Sequence, residues 1–256
     1  MNHDSNKHSG SDFENSGEAM DWPDAGLKVA LNLLKSIDSS ETCMVDIGAH
    51  RGESLRSFSQ MCSGPLIYVG LEPNPNAFID FETVAGVVRG DNRQVSCLQC
   101  AAGRQDGTAR FLLTKESAVS GILQAVSGLS DRVPSGDHQV ISEIEVEVVS
   151  IRSLVSRFSF ETVDLLKIDT EGFDLEVLRG AQHLLVSQLV YAVLTEAFFV
   201  PYRVDQSYFW DIASYMGDLK YHFVNLYDTR ETSQGRLYTG NALWVSDKLA
   251  KANGFL

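Results

Sequence analysis

Apolar residues follow two spacings along the chain from Ala25 onward. Leu27, Ala30, Leu31, Leu34 and Ile37 recur three or four positions apart, as in an amphipathic helix. Short apolar runs predict strands at residues 43–47, 66–71, 95–100, 144–148, 163–169, 189–195, 221–226 and 242–245. Helical spacing returns between most of these runs. Repeated strand–helix units imply a mostly parallel sheet with helices on both faces, an α/β fold.

Two pairs of neighbouring strands interrupt this pattern. Residues 103–107 read as a turn, with residues 109–113 as the return strand of a hairpin. Residues 221–226 and 242–245 predict a second hairpin, closed around Gly235. Residues 114–142 are the least regular part of the domain, and loops of that length usually have a function or lack order.

Residues 1–24 differ in composition from the rest of the chain. They carry six acidic residues and one lysine, too few apolar groups to offset the chain entropy of folding. We therefore expect a disordered polar tail over residues 1–24 and one domain over residues 25–256. The start has neither the basic nor the apolar region of a secretory signal, and no apolar run approaches the roughly 20 residues of a membrane span. We expect a cytoplasmic protein.

Charge and cysteine content narrow the classes of partner. The 21 basic and 34 acidic residues give a net charge of −13, which repels nucleic-acid backbones and anionic membranes, so neither is an expected partner. Cys97 and Cys100 form a single CxxC pair on a predicted strand, where side chains three apart point to opposite faces. We expect structural thiols there and no metal site.

Glycines follow the first predicted strand within the segment Val45–Ser54. Gly48 and Gly52 allow a tight turn into a helix and close approach to a ligand, and Asp46 suits a ligand with an ammonium group. The spacing is neither the dinucleotide GxGxxG pattern nor a phosphate loop. The alternative is that the glycines serve the strand-to-helix turn alone.

Acidic residues follow two further strands. Glu72 ends the second strand, where a carboxylate can accept hydrogen bonds from both hydroxyls of a ribose. Asp169, Glu171 and Asp174 follow a later strand, and acids in a first helical turn are also stabilised by the helix dipole. For Glu72 an exposed position before a proline-rich turn remains open, and for the other acids simple capping does.

Together these segments resemble the FkbM-type family of S-adenosylmethionine (SAM)-dependent methyltransferases. The resemblance extends from about residue 43 to residue 245. It rests on VDIGAHRGES, GLEPNPNAF, the Ala101-Ala102-Gly103 step and, most specifically, VDLLKIDTEGFDLEVLRGA. Two positions depart from the family pattern, since the family commonly has Asn at the position of His50 and Glu at that of Asp174.

The resemblance implies a Rossmann-like class I methyltransferase fold, with seven strands of which one is antiparallel, and methylation of a hydroxyl oxygen. Asp46, Gly48 and Gly52 would hold the methionine end of SAM, Glu72 the ribose, and Ala101 with Ala102 the adenine. The full set of cofactor-binding residues it implies is Asp46, Gly48, Ala49, His50, Gly52, Glu72, Asn74, Ala101, Ala102 and Asp169.

Methyl transfer to a hydroxyl needs alignment and removal of the acceptor's proton. Asp169 and Glu171 are the candidate bases, with Glu196 third, and the sequence does not choose between them. Oxygen ligands from Asp169, Glu171 and Asp174 would suit Mg²⁺ or Ca²⁺, but we expect no metal without further ligands.

The acceptor is expected to be a small molecule or glycan, such as a sugar, a polyketide or another secondary metabolite. Residues 114–142 and the C-terminal part would select it, and the oligomeric state is not predicted. Two alternatives remain. A nicotinamide-dependent oxidoreductase is disfavoured by the missing third glycine and the absent Tyr-x-x-x-Lys pair, and a SAM-binding module without catalysis is the other.

Overall fold

The structure is a computed structural model, and it describes residues 25–128 and 137–256. The predicted tail over residues 1–24 lies outside the described residues. The helices are α1 (Ala25–Leu34), α2 (Glu53–Met61), α3 (Pro75–Val88), α4 (Ile151–Phe158), α5 (Asp174–Gly180), α6 (Gln182–Val186), α7 (Phe209–Asp218) and α8 (Asp247–Ala252). The strands are β1 (Thr42–Ile47), β2 (Leu66–Leu71), β3 (Arg93–Leu98), β4 (Ala101–Gly103), β5 (Gly107–Thr114), β6 (Val140–Ser150), β7 (Val163–Ile168), β8 (Val190–Phe198), β9 (His222–Glu231) and β10 (Leu237–Val245).

Seven of these strands form one sheet in the order β3-β2-β1-β7-β8-β10-β9. The pairs among β3, β2, β1, β7 and β8 are parallel, and β10 runs antiparallel to both of its neighbours. The predicted α/β sheet with a single antiparallel strand is therefore confirmed. The pairing of β9 with β10 also confirms the predicted C-terminal hairpin.

Helices cover both faces of this sheet, because its central strands are apolar on both sides. Residues from α4, α5, α6 and α7 form the core on one face, including Leu154, Val177 and Met216. Residues from α1, α2, α3 and α8 form the core on the other face, including Leu31 and Phe58. Within the described residues, no helix is long and apolar enough to cross a membrane.

A second, three-stranded sheet corrects the first predicted hairpin. Strand β6 lies between β4 and β5, parallel to β4 and antiparallel to β5, so β4 and β5 do not pair with each other. Ala101 and Gly107 both align with Val148, on opposite edges of β6. The apolar–polar alternation of β6 predicts a half-exposed strand but carries no information on which strands flank it.

The CxxC segment also differs from its predicted limits, since β3 ends at Leu98 instead of Cys100. Cys97 and Cys100 pack in the cores on opposite faces of the sheet, and both are free thiols. Burial raises the pKa of each thiol, to about 11 for Cys97 and about 12 for Cys100. A thiol that resists ionisation is a poor nucleophile and metal ligand, in agreement with a structural role.

Candidate functional site

A cleft lies where the carboxyl ends of β1, β2, β7 and β8 meet, at the position where the strand order reverses. Its wall contains nine of the site residues predicted from the sequence: Gly48, Ala49, His50, Glu72, Ala101, Ala102, Asp169, Glu171 and Glu196. Three others, Asp46, Gly52 and Asn74, lie behind that wall. The predicted residues thus form one site, in which some face the cleft and some support those that do.

Gly48 is required by the close packing of β1 against β7. Its φ of +81° is in the left-handed region, and a Cβ atom there would lie 2.0 Å from the carbonyl oxygen of Asp169. Any larger residue would push the turn after β1 away from the end of β7. Gly52, with φ of +84°, precedes α2 and packs near Val84. The second glycine therefore serves the strand-to-helix turn.

His50 connects this turn to the opposite side of the cleft. Its Nδ1 lies 3.1 Å from Glu53 Oε1, and its Nε2 lies 2.9 Å from the Ser117 hydroxyl. Although burial opposes the charge, the hydrogen bond with Glu53 raises the pKa of His50. His50 has φ of +45°, which Asn and His adopt more readily than most residues. The departure from the family's usual Asn therefore preserves the backbone.

Glu72 is 5% exposed and is fixed by backbone donors on both carboxylate oxygens. The N–H of His50 donates to Oε2 at 2.8 Å, and the N–H of Asn74 donates to Oε1 at 2.7 Å. Burial raises the pKa of Glu72 to about 7. Each oxygen retains a lone pair for a further donor. Asn74 acts indirectly, since it also caps α3 by accepting a hydrogen bond from Asn76 N–H.

Asp46 is fully buried and reaches the cleft only through Lys167. The Tyr68 hydroxyl donates to Asp46 Oδ2, and Lys167 Nζ lies 3.4 Å from Asp46 Oδ1 and 3.3 Å from Asp169 Oδ2. Burial raises the pKa of Asp46. Although burial opposes its charge, Lys167 has a raised pKa because Asp46 and Asp169 lie beside it.

Sequence reasoning missed Lys167 as a functional residue. A lysine within an otherwise apolar central strand was the available signal, because a buried charge requires a partner. That partner is set by strand register, in which Lys167 of β7 aligns with Asp46 of β1. Lys167 lines the cleft, and its ammonium group lies beside both Asp46 and Asp169. The buried Asp46 therefore acts on the site through Lys167.

The three candidate bases come together at the ends of β7 and β8. Among the described residues, Asp169, Glu171 and Glu196 each offer a carboxylate oxygen within 4.8 Å of the others. Asp169 pairs with Lys167, and Glu171 accepts from Arg203 Nη2 at 2.7 Å. Glu196 Oε1 accepts from the Thr239 hydroxyl at 3.1 Å. The positive groups beside Asp169 and Glu171 already compensate much of the charge that a metal ion would.

Asp174 does not join this cluster. Its Oδ2 accepts from the Thr170 hydroxyl at 2.8 Å, and its Oδ1 accepts from Glu196 N–H at 3.1 Å. Burial and the nearby Asp169 raise the pKa of Asp174 to about 7. Asp174 thus joins the start of α5 to β8 beneath the site. The three carboxylates considered for a metal from the sequence included Asp174, whereas the fold brings Glu196 together with Asp169 and Glu171 instead.

Part of the irregular stretch covers the cleft. The turn Ser117–Val119 lines it, and the Val119 carbonyl accepts from Arg203 Nη2 at 2.6 Å. Backbone hydrogen bonds from Val126 to Tyr202 and from Val204 to Gln124 join the same stretch to the loop after β8. Arg203 is 3% exposed, so one buried guanidinium ties this cover to Glu171. The sequence offered no signal for that contact.

The far wall of the cleft is polar and comes from β9 and β10. It contains Asp228, Arg230, Thr239 and Asn241. A bulge interrupts the pairing of these strands between Thr239 and Asn241, and bulges commonly redirect side chains beside functional sites. This wall lies beyond the carboxylate cluster as seen from Glu72.

Comparison with known proteins gives a family and a fold. Residues 46–223 match the family described as methyltransferase FkbM domain. Methyltransferase FkbM from Methylobacillus flagellatus KT superposes with a TM-score of 0.52 at 18% identity, over 82% of this chain and 44% of that chain. This chain therefore spans less than half of that protein. The sequence matches none of the curated proteins with which it was compared.

Two further solved structures are more distant. Magnesium protoporphyrin IX methyltransferase (ChlM) from Synechocystis PCC 6803, with bound SAM, gives a TM-score of 0.45 at 13% identity, over 87% of this chain and 81% of that chain. An rRNA methylase from Streptococcus thermophilus gives 0.44 at 7% identity, over 90% of this chain and 99% of that chain. With TM-scores of 0.45 and 0.44, neither structure carries an argument about this chain.

Proposed function

This chain belongs to the methyltransferase FkbM domain family, and from that premise we propose that it is a SAM-dependent O-methyltransferase that acts on a hydroxyl group of a small molecule or glycan. One arrangement carries the proposal. A ribose-binding carboxylate, Glu72, shares a cleft with three carboxylates at the ends of β7 and β8.

The residues of the cleft fit the parts of SAM. Glu72 has two oxygens held by backbone donors, which suits the two hydroxyls of a ribose. Ala101 and Ala102 offer small side chains beside a flat base, and the Gly48 turn permits close approach of a chain. Bound SAM supplies an electrophilic methyl group on a cationic sulfur, and its transfer to a hydroxyl oxygen frees the hydroxyl proton.

Charge favours this cofactor over a nicotinamide dinucleotide. Six carboxyl groups line the described cleft together with the basic residues Lys167 and Arg230; the six are Glu53, Glu72, Asp169, Glu171, Glu196 and Asp228. Lys167 and the buried Arg203 offset the charges of Asp169 and Glu171, which leaves a smaller acidic excess. This excess attracts a sulfonium and repels a pyrophosphate. For the same reason it disfavours a nucleic-acid acceptor and favours an uncharged hydroxyl compound.

The chain's own residues then have two tasks. The cover around Ser117–Val119 and the polar wall of β9 and β10 exclude water and orient the acceptor. A carboxylate at the ends of β7 and β8 takes the hydroxyl proton, with Asp169, Glu171 and Glu196 as candidates. No resident metal enters this account.

The first test is binding. Calorimetric titration with SAM, S-adenosylhomocysteine (SAH) and NAD should give heat with the first two compounds and none with NAD. Binding of NAD without SAM would support the oxidoreductase and overturn the proposal.

The second test is transfer. Methyl-labelled SAM is incubated with sugars and polyketides, each paired with the same compound lacking one hydroxyl. We expect label in the hydroxylated member only, in a product that resists alkaline hydrolysis, as an ether does and an ester does not. SAM binding with no transfer to any acceptor would support the non-catalytic binding module instead.

A further inference from the structure

The three clustered carboxylates differ in their partners. Asp169 lies 3.3 Å from the Lys167 ammonium, and Glu171 lies 2.7 Å from the Arg203 guanidinium. Among the described residues, Glu196 has a neutral partner, the Thr239 hydroxyl on Oε1, while its buried Oε2 has no hydrogen-bond partner. Among the three, Glu196 is therefore the member that has a buried carboxylate oxygen without a hydrogen-bond partner in the described part of the chain.

The surroundings of Glu196 are mainly anionic. Asp169 and Glu171 face it from the end of β7, and Asp174 lies beneath it and accepts its backbone N–H. From β9, Arg230 faces the same region but is engaged with the Tyr238 hydroxyl. Lys167 and Arg203 are each occupied by one of the other two carboxylates.

We propose that Glu196 carries the exchangeable proton of the site: it holds a proton in the free protein, loses it when a sulfonium binds beside it, and then accepts the acceptor's hydroxyl proton. This inference rests on the proposed function and narrows it to one residue. Proton balance is simple. The first proton leaves to solvent as the cofactor binds, and the hydroxyl proton freed by methyl transfer passes to Glu196 Oε2.

The electrostatics agree with this geometry. Burial, and then the charges of Glu171 and Asp169, raise the pKa of Glu196 well above its ordinary value. An added positive charge within a few ångströms favours the ionised form and reverses this effect. Neighbouring strands lie about 4.8 Å apart, so Glu196 on β8, three strands along the sheet, is about 14 Å from the end of β2. A sulfur joined to a ribose held at Glu72 lies within that span.

SAM and SAH form a matched pair for testing this proposal, because they differ only by the methyl group and its positive charge. The number of protons released on binding is measured by titrating each compound into the protein in buffers of different ionisation enthalpy between about pH 6 and pH 8. Glu72, whose pKa is about 7, interacts with the ribose of both compounds, so its contribution cancels in the difference. We expect SAM to release roughly half a proton or more per site beyond SAH.

Two variants test whether Glu196 is the source of the SAM–SAH difference in proton release. Glu196→Gln should bind both compounds and abolish the SAM–SAH difference in proton release. Asp80→Asn removes an exposed carboxylate on α3, outside the cleft, and should retain the difference. Thermal unfolding of both variants checks that they are folded.

The outcomes are separable. Equal proton release by SAM and SAH in the unmodified protein overturns the inference without any variant, as does a difference that survives in Glu196→Gln. Failure of both compounds to bind overturns the proposed function itself.

Discussion

The two ends of the cleft are built in different ways. At the β1–β2 end, the backbone fixes the geometry, since Gly48 allows close approach and two N–H groups hold Glu72. At the β7–β8 end, side chains from distant parts of the chain set the charge, since Lys167 and Arg203 each neutralise one carboxylate. Under the proposed function, the first end binds the cofactor, and the second balances charge around the proton that methyl transfer releases. Substitutions at the two ends should therefore change the stability and the cofactor affinity of the protein by different mechanisms.

The largest expected effect is at the charged end. Lys167→Met leaves Asp46 buried without a cation, and loss of one partner of a buried pair costs about 3–5 kcal/mol. Urea unfolding at pH 7 measures this cost. The double variant Asp46→Asn with Lys167→Met should recover much of the stability, and a single variant as stable as the parent would show that the pair carries no charge.

The next effect tests the backbone end. Gly48→Ala places a Cβ 2.0 Å from the Asp169 carbonyl at positive φ, which we expect to cost about 3 kcal/mol and to weaken SAM binding. Gly86→Ala is the matched control, because no atom lies within 4 Å of its added Cβ. Gly86 lies within α3, where alanine is favoured by about 0.5–1 kcal/mol. Equal stability of the two variants would contradict the close-approach argument.

Removing the charge of Glu72 should weaken cofactor affinity and also lower stability, because the amide NH2 of Gln would face one of the two backbone N–H donors. Glu72→Gln weakens charge-assisted hydrogen bonds worth about 1.5–3 kcal/mol, so SAM and SAH should both bind roughly 10- to 100-fold more weakly. Asp80→Asn, on the exposed face of α3, should bind normally. Calorimetry measures both, and unchanged affinity of Glu72→Gln would remove Glu72 from the cofactor site.

The raised pKa of Glu72 predicts that the affinity for SAH depends on pH. The pKa of Glu72 is raised to about 7, and hydrogen bonds from ribose hydroxyls favour its ionised form. Binding therefore releases protons, and SAH affinity should increase as pH rises from about 6 to 8. The Glu72→Gln variant should lose most of this slope, whereas a parent affinity that falls with pH would have the wrong sign.

The smallest effect concerns the cover. Ser117→Ala removes the hydroxyl that contacts His50 Nε2 at 2.9 Å, a contact worth about 1 kcal/mol. SAH should dissociate roughly fivefold faster in stopped-flow experiments, while Ser59→Ala on α2 should behave as the parent. An unchanged dissociation rate would mean that this contact does not hold the cover.

This contrast also explains what the sequence predicts well. Gly48 directly follows β1 and Glu72 directly follows β2, each within a motif at the end of its own strand, so local spacing identifies them. The mostly parallel character of the main sheet follows from repeated βα units, but the position of β6 between β4 and β5 depends on pairing between residues 26 to 41 positions apart, which alternation does not encode. Arg203 reaches Glu171 from a loop 32 residues away, and no local pattern indicates that contact.

A crystal structure of the protein with SAH tests the central claim most directly. The account predicts that both ribose hydroxyls donate to Glu72 at about 2.7 Å, with the sulfur beside the ends of β7 and β8. A nucleoside bound elsewhere, or one whose ribose does not contact Glu72, would contradict it.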